Sequence, residues 1–206
     1  MPKSGDWRAT PLPPTRYLTQ DELAKFLKTA EAESRKYALM FNLISYLALR
    51  VAECAALRLD AFSDPPNFVT IQGLKNGLKR PYPFPEPYQK MLKHWLADRK
   101  KLQGADKNPY LFPHRDFHET GHMIPEGIQF AFYAIAKKAG LKGHSVHDLR
   151  HTTAQELVRN KEGLAQVASW LRHREIDSSK RYVDHAVDLE LDQRQAERAL
   201  ERFKKG

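Results

Sequence analysis

The sequence predicts a mostly α-helical fold with one small antiparallel β-sheet, an α+β domain. Three observations carry that reading. Thr19-Gln20-Asp21-Glu22 and Ser145-Val146-His147-Asp148 are capping-box sequences that open helices. Apolar residues recur at helical spacing along much of the chain. β-Branched and aromatic residues gather once, in NFVTIQ, just before an Asn76-Gly77 turn signal.

The first sixteen residues, MPKSGDWRATPLPPTR, are rich in Pro and polar groups and read as a tail or linker. The Thr19 capping box opens a helix expected to run to about residue 33. KYALMFNLISYLALRVAECAALRLDAF is strongly helical in pattern, with Leu43, Leu47, Arg50, Cys54 and Leu57 on one face. An arginine thus stands in the middle of an apolar stripe. After the breaker SDPPN comes the short strand NFVTIQ, then GLKNGLKRPYPF as the second arm of a hairpin. Pro81, Pro83 and Pro85 confine that arm to an edge, because proline cannot donate to a ladder. Helices are expected over 86–101 and near 125–139, separated by an irregular stretch. The Ser145 box starts a further helix, short ones cover 163–172 and 176–183, and a last one covers 188–204.

With 206 residues, 41% of them apolar and 29% charged, the chain is long enough to bury a core and should fold. Lys and Arg outnumber Asp and Glu by 34 to 25, a net charge of +9. That excess points to a polyanionic partner, either nucleic acid or an acidic membrane face. Cys54 is the only cysteine, which excludes an intrachain disulfide and a cysteine-rich zinc site. No apolar run approaches the roughly 18–20 residues of a membrane span, and the N-terminal stretch has no apolar signal-peptide core. A soluble, cytoplasmic protein is expected.

HDLRHTTA places His147, Arg150 and His151 three or four residues apart on one side of a helix. Chelation of zinc by the two histidines is disfavoured by the missing HExxH pattern, by the lack of a third ligand and by the adjacent arginine. Two readings remain: polar groups solvated at a helix N-terminus, or an anion site built from Arg and His donors. Arg50 bears on the choice, because a guanidinium on an apolar face needs an anionic partner. That partner is either Glu53, in a structural ion pair, or a phosphate clamped between Arg50 and Arg150.

Taken in order, these segments resemble the catalytic domain of the tyrosine recombinases, the phage integrase family. ALRVAECAALRLDAF resembles the family's first-arginine box, with Arg50 in the catalytic position, and LKNGLKRPYPF its β-hairpin, with Lys75 as the hairpin lysine and Lys79 as the competing choice. HDLRHTTA is similar to the H-x-x-R box and supplies His147 and Arg150. LRH gives His173, and KRYVDH gives the nucleophile Tyr182. The likeness runs from about Tyr17 to about His185, most of the chain. It departs at Ala48 and Arg172, where the family often has glycine.

The resemblance implies the fold of DNA breaking-rejoining enzymes over residues 17–206 and a site-specific recombinase or integrase acting on double-stranded DNA. In that chemistry Tyr182 attacks in line and forms a 3′-phosphotyrosyl bond, with His147 as base and Lys75 as general acid. Arg50, Arg150 and His173 hold the non-bridging oxygens. Neither metal, cofactor nor ATP is called for, because guanidiniums supply the charge and the covalent bond conserves the phosphodiester energy. The family also implies a homo-oligomer, a tetramer, on paired DNA sites. Ala196, Ala199, Leu200 and Phe203 form a stripe on the last helix that either packs on its own domain or docks on a neighbouring protomer. With only a short tail where full-size members carry a second DNA-binding domain, the chain is expected to be a naturally short member or an excised catalytic domain. Two other functions stay open: relaxation of DNA in the manner of a type IB topoisomerase, and a non-catalytic DNA-binding regulator with the same fold.

Overall fold

A computed structural model describes residues 16–73, 79–114, 121–160, 164–172 and 189–205. Its elements, in chain order, are α1 (Gln20–Glu33), α2 (Arg35–Tyr46), α3 (Val51–Ala55), a 3₁₀ turn (Leu59–Ala61), β1 (Phe68–Gln72), β2 (Lys79–Pro83), α4 (Glu86–Arg99), α5 (Pro125–Lys138), α6 (Val146–Arg159), α7 (Leu164–Trp170) and α8 (Leu189–Lys205). Among the described residues no helix is long and apolar enough to cross a membrane. The expected fold class holds: among the described residues helices dominate, and the one sheet is two-stranded and antiparallel.

The Thr19 box forms as written. The Thr19 hydroxyl accepts from the Glu22 N–H at 3.2 Å, and the Glu22 carboxylate accepts from the Thr19 N–H at 2.8 Å. α2 is buried over every residue from Ala38 to Tyr46, as a helix covered on all sides must be. It packs against α1, α4 and α6 and forms the axis of the core. One aromatic cluster, Phe26, Phe41 and Phe132, joins α1, α2 and α5, with ring centroids 4.7–6.1 Å apart. A second joins α2, β2, α4 and α7: Tyr46 stacks on Tyr88 at 4.7 Å, and Trp170 meets Tyr46 at 6.0 Å and Tyr82 at 4.9 Å.

β1 and β2 pair from Phe68 opposite Pro83 to Gln72 opposite Lys79. Pro81 and Pro83 sit in β2 because a two-stranded sheet has only edges. The expected Asn76-Gly77 turn lies outside the described residues. The irregular stretch after α4 is held from a distance: Arg99, 5% exposed, donates to the carbonyls of Ala105, Asn108 and Tyr110. The Ala105 carbonyl also accepts the Asn108 N–H at 3.3 Å; Arg99 thus supplies donors that buried backbone acceptors need.

One expectation is corrected. The segment from Lys36 to Phe62 is not one continuous helical stripe. α2 stops at Tyr46, Ala48 takes φ +47°, and α3 starts afresh at Val51. The Leu49 N–H reaches back to the Ile44 carbonyl at 3.1 Å, the closing bond of a Schellman stop with alanine at the left-handed position. Glycine or asparagine usually marks such a stop, and neither is present. Arg50 therefore stands at the start of α3 rather than within an apolar helix face.

Candidate active site

Arg50 is the N-cap residue of α3, with extended backbone at φ −70° and ψ 152°. Glu53, three residues on, accepts the Arg50 backbone N–H at 2.8 Å on Oε2 and Arg50 Nη1 at 3.0 Å on Oε1. The expected ion pair is present. It leaves the arginine half-committed, since its side chain is 37% exposed while that of Glu53 is fully buried. Among the described residues no hydrogen bond engages Arg50 Nε or Nη2, so part of its fork faces outward.

Arg150 comes from the first turns of α6. The Asp148 carboxylate caps that helix by accepting the Ser145 N–H at 3.0 Å, and it also faces His144 Nδ1 at 3.2 Å. Arg150 is buried and donates from Nη1 to the Ala48 carbonyl and from Nη2 to the Leu171 carbonyl. Burial first, then repulsion from Arg172 and Arg50, pushes its guanidinium down to about 10. It stays charged at neutral pH. The like-charge repulsion shows that the three arginines share one electrostatic neighbourhood.

Arg172 follows α7 at φ +54°. Its N–H donates to the Ser169 carbonyl at 3.1 Å, another helix stop on a left-handed residue. Ala48 and Arg172 are the only non-glycine residues with positive φ among the described residues. They are also the two positions at which the resemblance leads one to expect glycine, and the backbone keeps the shape that glycine would serve. The Arg172 side chain is 1% exposed and forms a buried ion pair with Glu53 Oε2 at 2.9 Å. It also donates to the Tyr82 hydroxyl at 2.7 Å and to the carbonyls of Leu47, Ala48 and Trp170.

Two guanidiniums, those of Arg50 and Arg172, thus bind the Glu53 carboxylate, and Arg150 lies within reach of its charge. Burial alone would raise Glu53, but Arg172 and Arg50 reverse this and hold it below the ordinary carboxylate value. Burial alone would lower Arg172; Tyr82 and Glu53 hold it above the ordinary arginine value. Arg80 of β2 lies beside this group, donating to Ser169 Oγ at 2.6 Å and stacking over the rings of Tyr82 and Trp170.

His147 is exposed on the first turn of α6, three residues before Arg150. His151 is exposed as well. Loss of hydration lowers its titration below the ordinary histidine value, with smaller contributions from His147 and Arg150. Lys79 is exposed at the start of β2. Lys75, His173 and Tyr182 lie outside the described residues. The sequence reading missed Arg172 as a partner of Glu53, and Tyr82 as the hydroxyl between Arg172 and Trp170. A charged residue in place of an expected glycine was the only local signal for the first. Nothing in the sequence pointed to the second.

Residues 16–188 match the model of the phage integrase family. The chain belongs to that family. Among curated relatives, the tyrosine recombinase XerD of Brucella suis biovar 1 (strain 1330) is 31% identical over 159 residues, which is 76% of this chain and 50% of the relative. The chain therefore spans about half the length of the relative it matches. Among solved structures, XerA recombinase superposes with a TM-score of 0.69 at 22% identity, covering 92% of this chain and 66% of the other. The XerH site-specific recombinase bound to its difH substrate, a pre-cleavage complex, gives 0.67 at 23% identity, over 81% and 49%. At those identities the two structures establish the phage integrase fold of this chain.

Proposed function

We propose that residues 17–206 are the catalytic domain of a site-specific DNA recombinase or integrase that cuts and rejoins strands through a 3′-phosphotyrosyl bond. The observation that carries this reading is the gathering of Arg50 and Arg150 in a phage integrase chain, close enough for their charges to repel. A phosphodiester brings one negative charge to such a site, and its five-coordinate transition state brings two. Preorganised guanidiniums stabilise the added charge without reorganising. The exposed part of the Arg50 fork takes a non-bridging oxygen, and Arg150, fixed by two carbonyls, takes another.

Tyr182 supplies the nucleophile. Its phenol, with an ordinary pKa of about 10, passes its proton to His147 as the oxygen attacks phosphorus. The P–O5′ bond breaks, His173 steadies a non-bridging oxygen, and Lys75 hands a proton to the leaving 5′-oxygen. Attack by a 5′-hydroxyl of another strand reverses the step, so the energy of the phosphodiester is conserved and neither ATP nor a metal ion enters the balance. Double-stranded DNA is the partner, in the cytoplasm. The net charge of +9 favours its approach.

We assign a tetramer on paired sites as the working assembly. A lambda integrase tetramer bound to a Holliday junction shares the fold, with a TM-score of 0.58 at 18% identity. In the isolated chain α8 lies on its own domain: Ala199 is buried, Phe203 meets Tyr88 at 5.2 Å between ring centroids, and Arg202 pairs with Glu156. In the assembly the Ala196, Ala199, Leu200 and Phe203 face transfers to a neighbouring protomer.

The test is incubation with nicked duplex DNA followed by denaturing electrophoresis. The chain forms a denaturant-stable adduct, and Tyr182→Phe forms none. No adduct from wild-type protein under conditions in which it binds DNA would overturn the enzymatic reading. Relaxation of a plasmid that carries no target site would replace recombination with topoisomerase chemistry.

A further inference from the structure

We infer that Arg172 is a positioning residue that neutralises Glu53, so that Arg50 and Arg150 both present their full charge to the bound phosphate. The inference rests on the proposed phosphate site and adds to it a residue outside the expected catalytic set. It starts from a cost. Arg172 holds φ +54°, a left-handed conformation in which a β-carbon crowds the following carbonyl oxygen. Glycine would meet the same helix stop without that cost. Whatever keeps an arginine there must come from its side chain.

That side chain is 1% exposed. Nη1 donates to the Leu47 carbonyl at 3.1 Å, the Trp170 carbonyl at 3.2 Å and the Tyr82 hydroxyl at 2.7 Å. Nη2 donates to the Ala48 carbonyl at 3.0 Å and to Glu53 Oε2 at 2.9 Å. Arg172 therefore binds the backbone on both sides of the α2 stop and the carboxylate that orients Arg50. With five acceptors shared over its two Nη groups, Arg172 has no amino hydrogen left for a substrate, whereas Arg150, with one acceptor on each Nη, has. Arg172 acts on Glu53.

Charge balance states what that action is. Glu53 is needed to orient Arg50, through the backbone N–H and through Nη1. As a buried anion beside the phosphate it would also cancel one of the two clamping arginines and repel the substrate. With Arg172 on its second oxygen the orientation is kept and the cancellation removed. Three guanidiniums against one carboxylate leave two positive charges, which match the doubly negative transition state. Without Arg172 only one would remain.

The test compares Arg172→Gln, Arg172→Lys and the double variant Arg172→Gln/Glu53→Gln with wild type. Two readouts are used: the rate of adduct formation on nicked DNA, and the rise in unfolding temperature on replacing chloride by inorganic phosphate at fixed ionic strength. Arg172→Gln, which leaves Glu53 unbalanced, is expected to slow adduct formation by about a hundredfold, the low end of the cost of removing one preorganised donor. It should also abolish the phosphate response. Arg172→Lys keeps most of both. The double variant recovers both relative to Arg172→Gln, because the uncompensated anion is gone. A merely structural role predicts no recovery, since the second substitution removes further buried contacts.

Circular dichroism checks that each variant folds. If Arg172→Gln does not, Arg172→Lys and the double variant still decide against wild type. The inference is overturned if the double variant is no better than Arg172→Gln or fails to respond to phosphate, if Arg172→Lys loses both properties, or if phosphate does not stabilise wild type. A phosphate series that behaves as expected, with no adduct from wild type, would sink the recombinase reading and leave the role of Arg172 standing.

Discussion

Arg150 ties two helix ends together, and replacing it with lysine separates its structural duty from its chemical one. In the native chain Nη1 reaches the Ala48 carbonyl and Nη2 the Leu171 carbonyl. A lysine ammonium is a point donor on a flexible stem and cannot span both. The Ala48 carbonyl keeps a second donor, Arg172 Nη2 at 3.0 Å, so its loss costs little. The Leu171 carbonyl has no such substitute among the described residues, and an orphaned buried acceptor costs about 1–3 kcal/mol. The expected loss is about 2 kcal/mol. For a chain of this length each kcal/mol moves the unfolding midpoint by about 2–4 °C, so Arg150→Lys should melt roughly 4–8 °C below wild type. Scanning calorimetry reads this directly. At a temperature where the variant is still folded, adduct formation should fall much further than the stability loss explains, because a point charge cannot grip an oxygen as the fork does. A midpoint within about 1 °C of wild type would refute the bridging role inferred from the two carbonyl bonds.

Other expected outcomes follow from the same geometry. Trp170→Ala removes a fully buried ring that meets both Tyr46 and Tyr82, and should cost about 3–5 kcal/mol in chemical denaturation. Ala48→Val places a β-branched residue at φ +47° in a fully buried position; strain and overpacking together should destabilise by on the order of 3 kcal/mol, seen as an early urea midpoint. Stability should fall as the solution is acidified. The His151 imidazole titrates below its ordinary 6.5 in the folded chain, so the unfolded chain takes the proton first and stability drops as pH falls through that value. His151→Gln should flatten the melting midpoint across this range. Glu53 is held below its ordinary 4.5; the stability it contributes is complete above that value and is lost as pH falls through the lower folded one. Glu53→Gln should therefore weaken the pH dependence on the acid side.

Where helices begin was legible because capping is local: Thr19 with Glu22, and Ser145 with Asp148, lie within one turn and find each other in the folded chain. The hairpin was legible for the same reason, with prolines marking its edge. The break at Ala48 was not. An alanine holds the left-handed position there, and what supports it arrives from far along the chain: Arg150 and Arg172 both donate to its carbonyl. A reader of the sequence sees a continuous apolar pattern through that point. The irregular stretch after α4 was equally opaque, since Arg99 orders it through carbonyls that carry no sequence signature.

In the candidate site, the Arg50–Glu53 pair was legible from its spacing of three residues, and Arg50 and Arg150, singled out by pattern and family likeness, lie near enough in the fold to repel. Arg172 showed only as a residue of the wrong kind. Its partners at Leu47, Ala48, Glu53 and Tyr82 lie 90 to 125 positions away, where no periodicity can connect them.

The proposed function turns on a covalent bond between Tyr182 and DNA that forms without metal or nucleotide cofactor. It is tested by mass spectrometry of the adduct, formed in EDTA without ATP and digested with nuclease and trypsin. Cleavage after Arg181 and Arg194 releases Tyr182 at the head of the peptide covering 182–194. This peptide is expected to carry a nucleotide on the Tyr182 phenolic oxygen. A nucleotide on any other residue, or an adduct that appears only when a divalent ion is supplied, would contradict the proposed function.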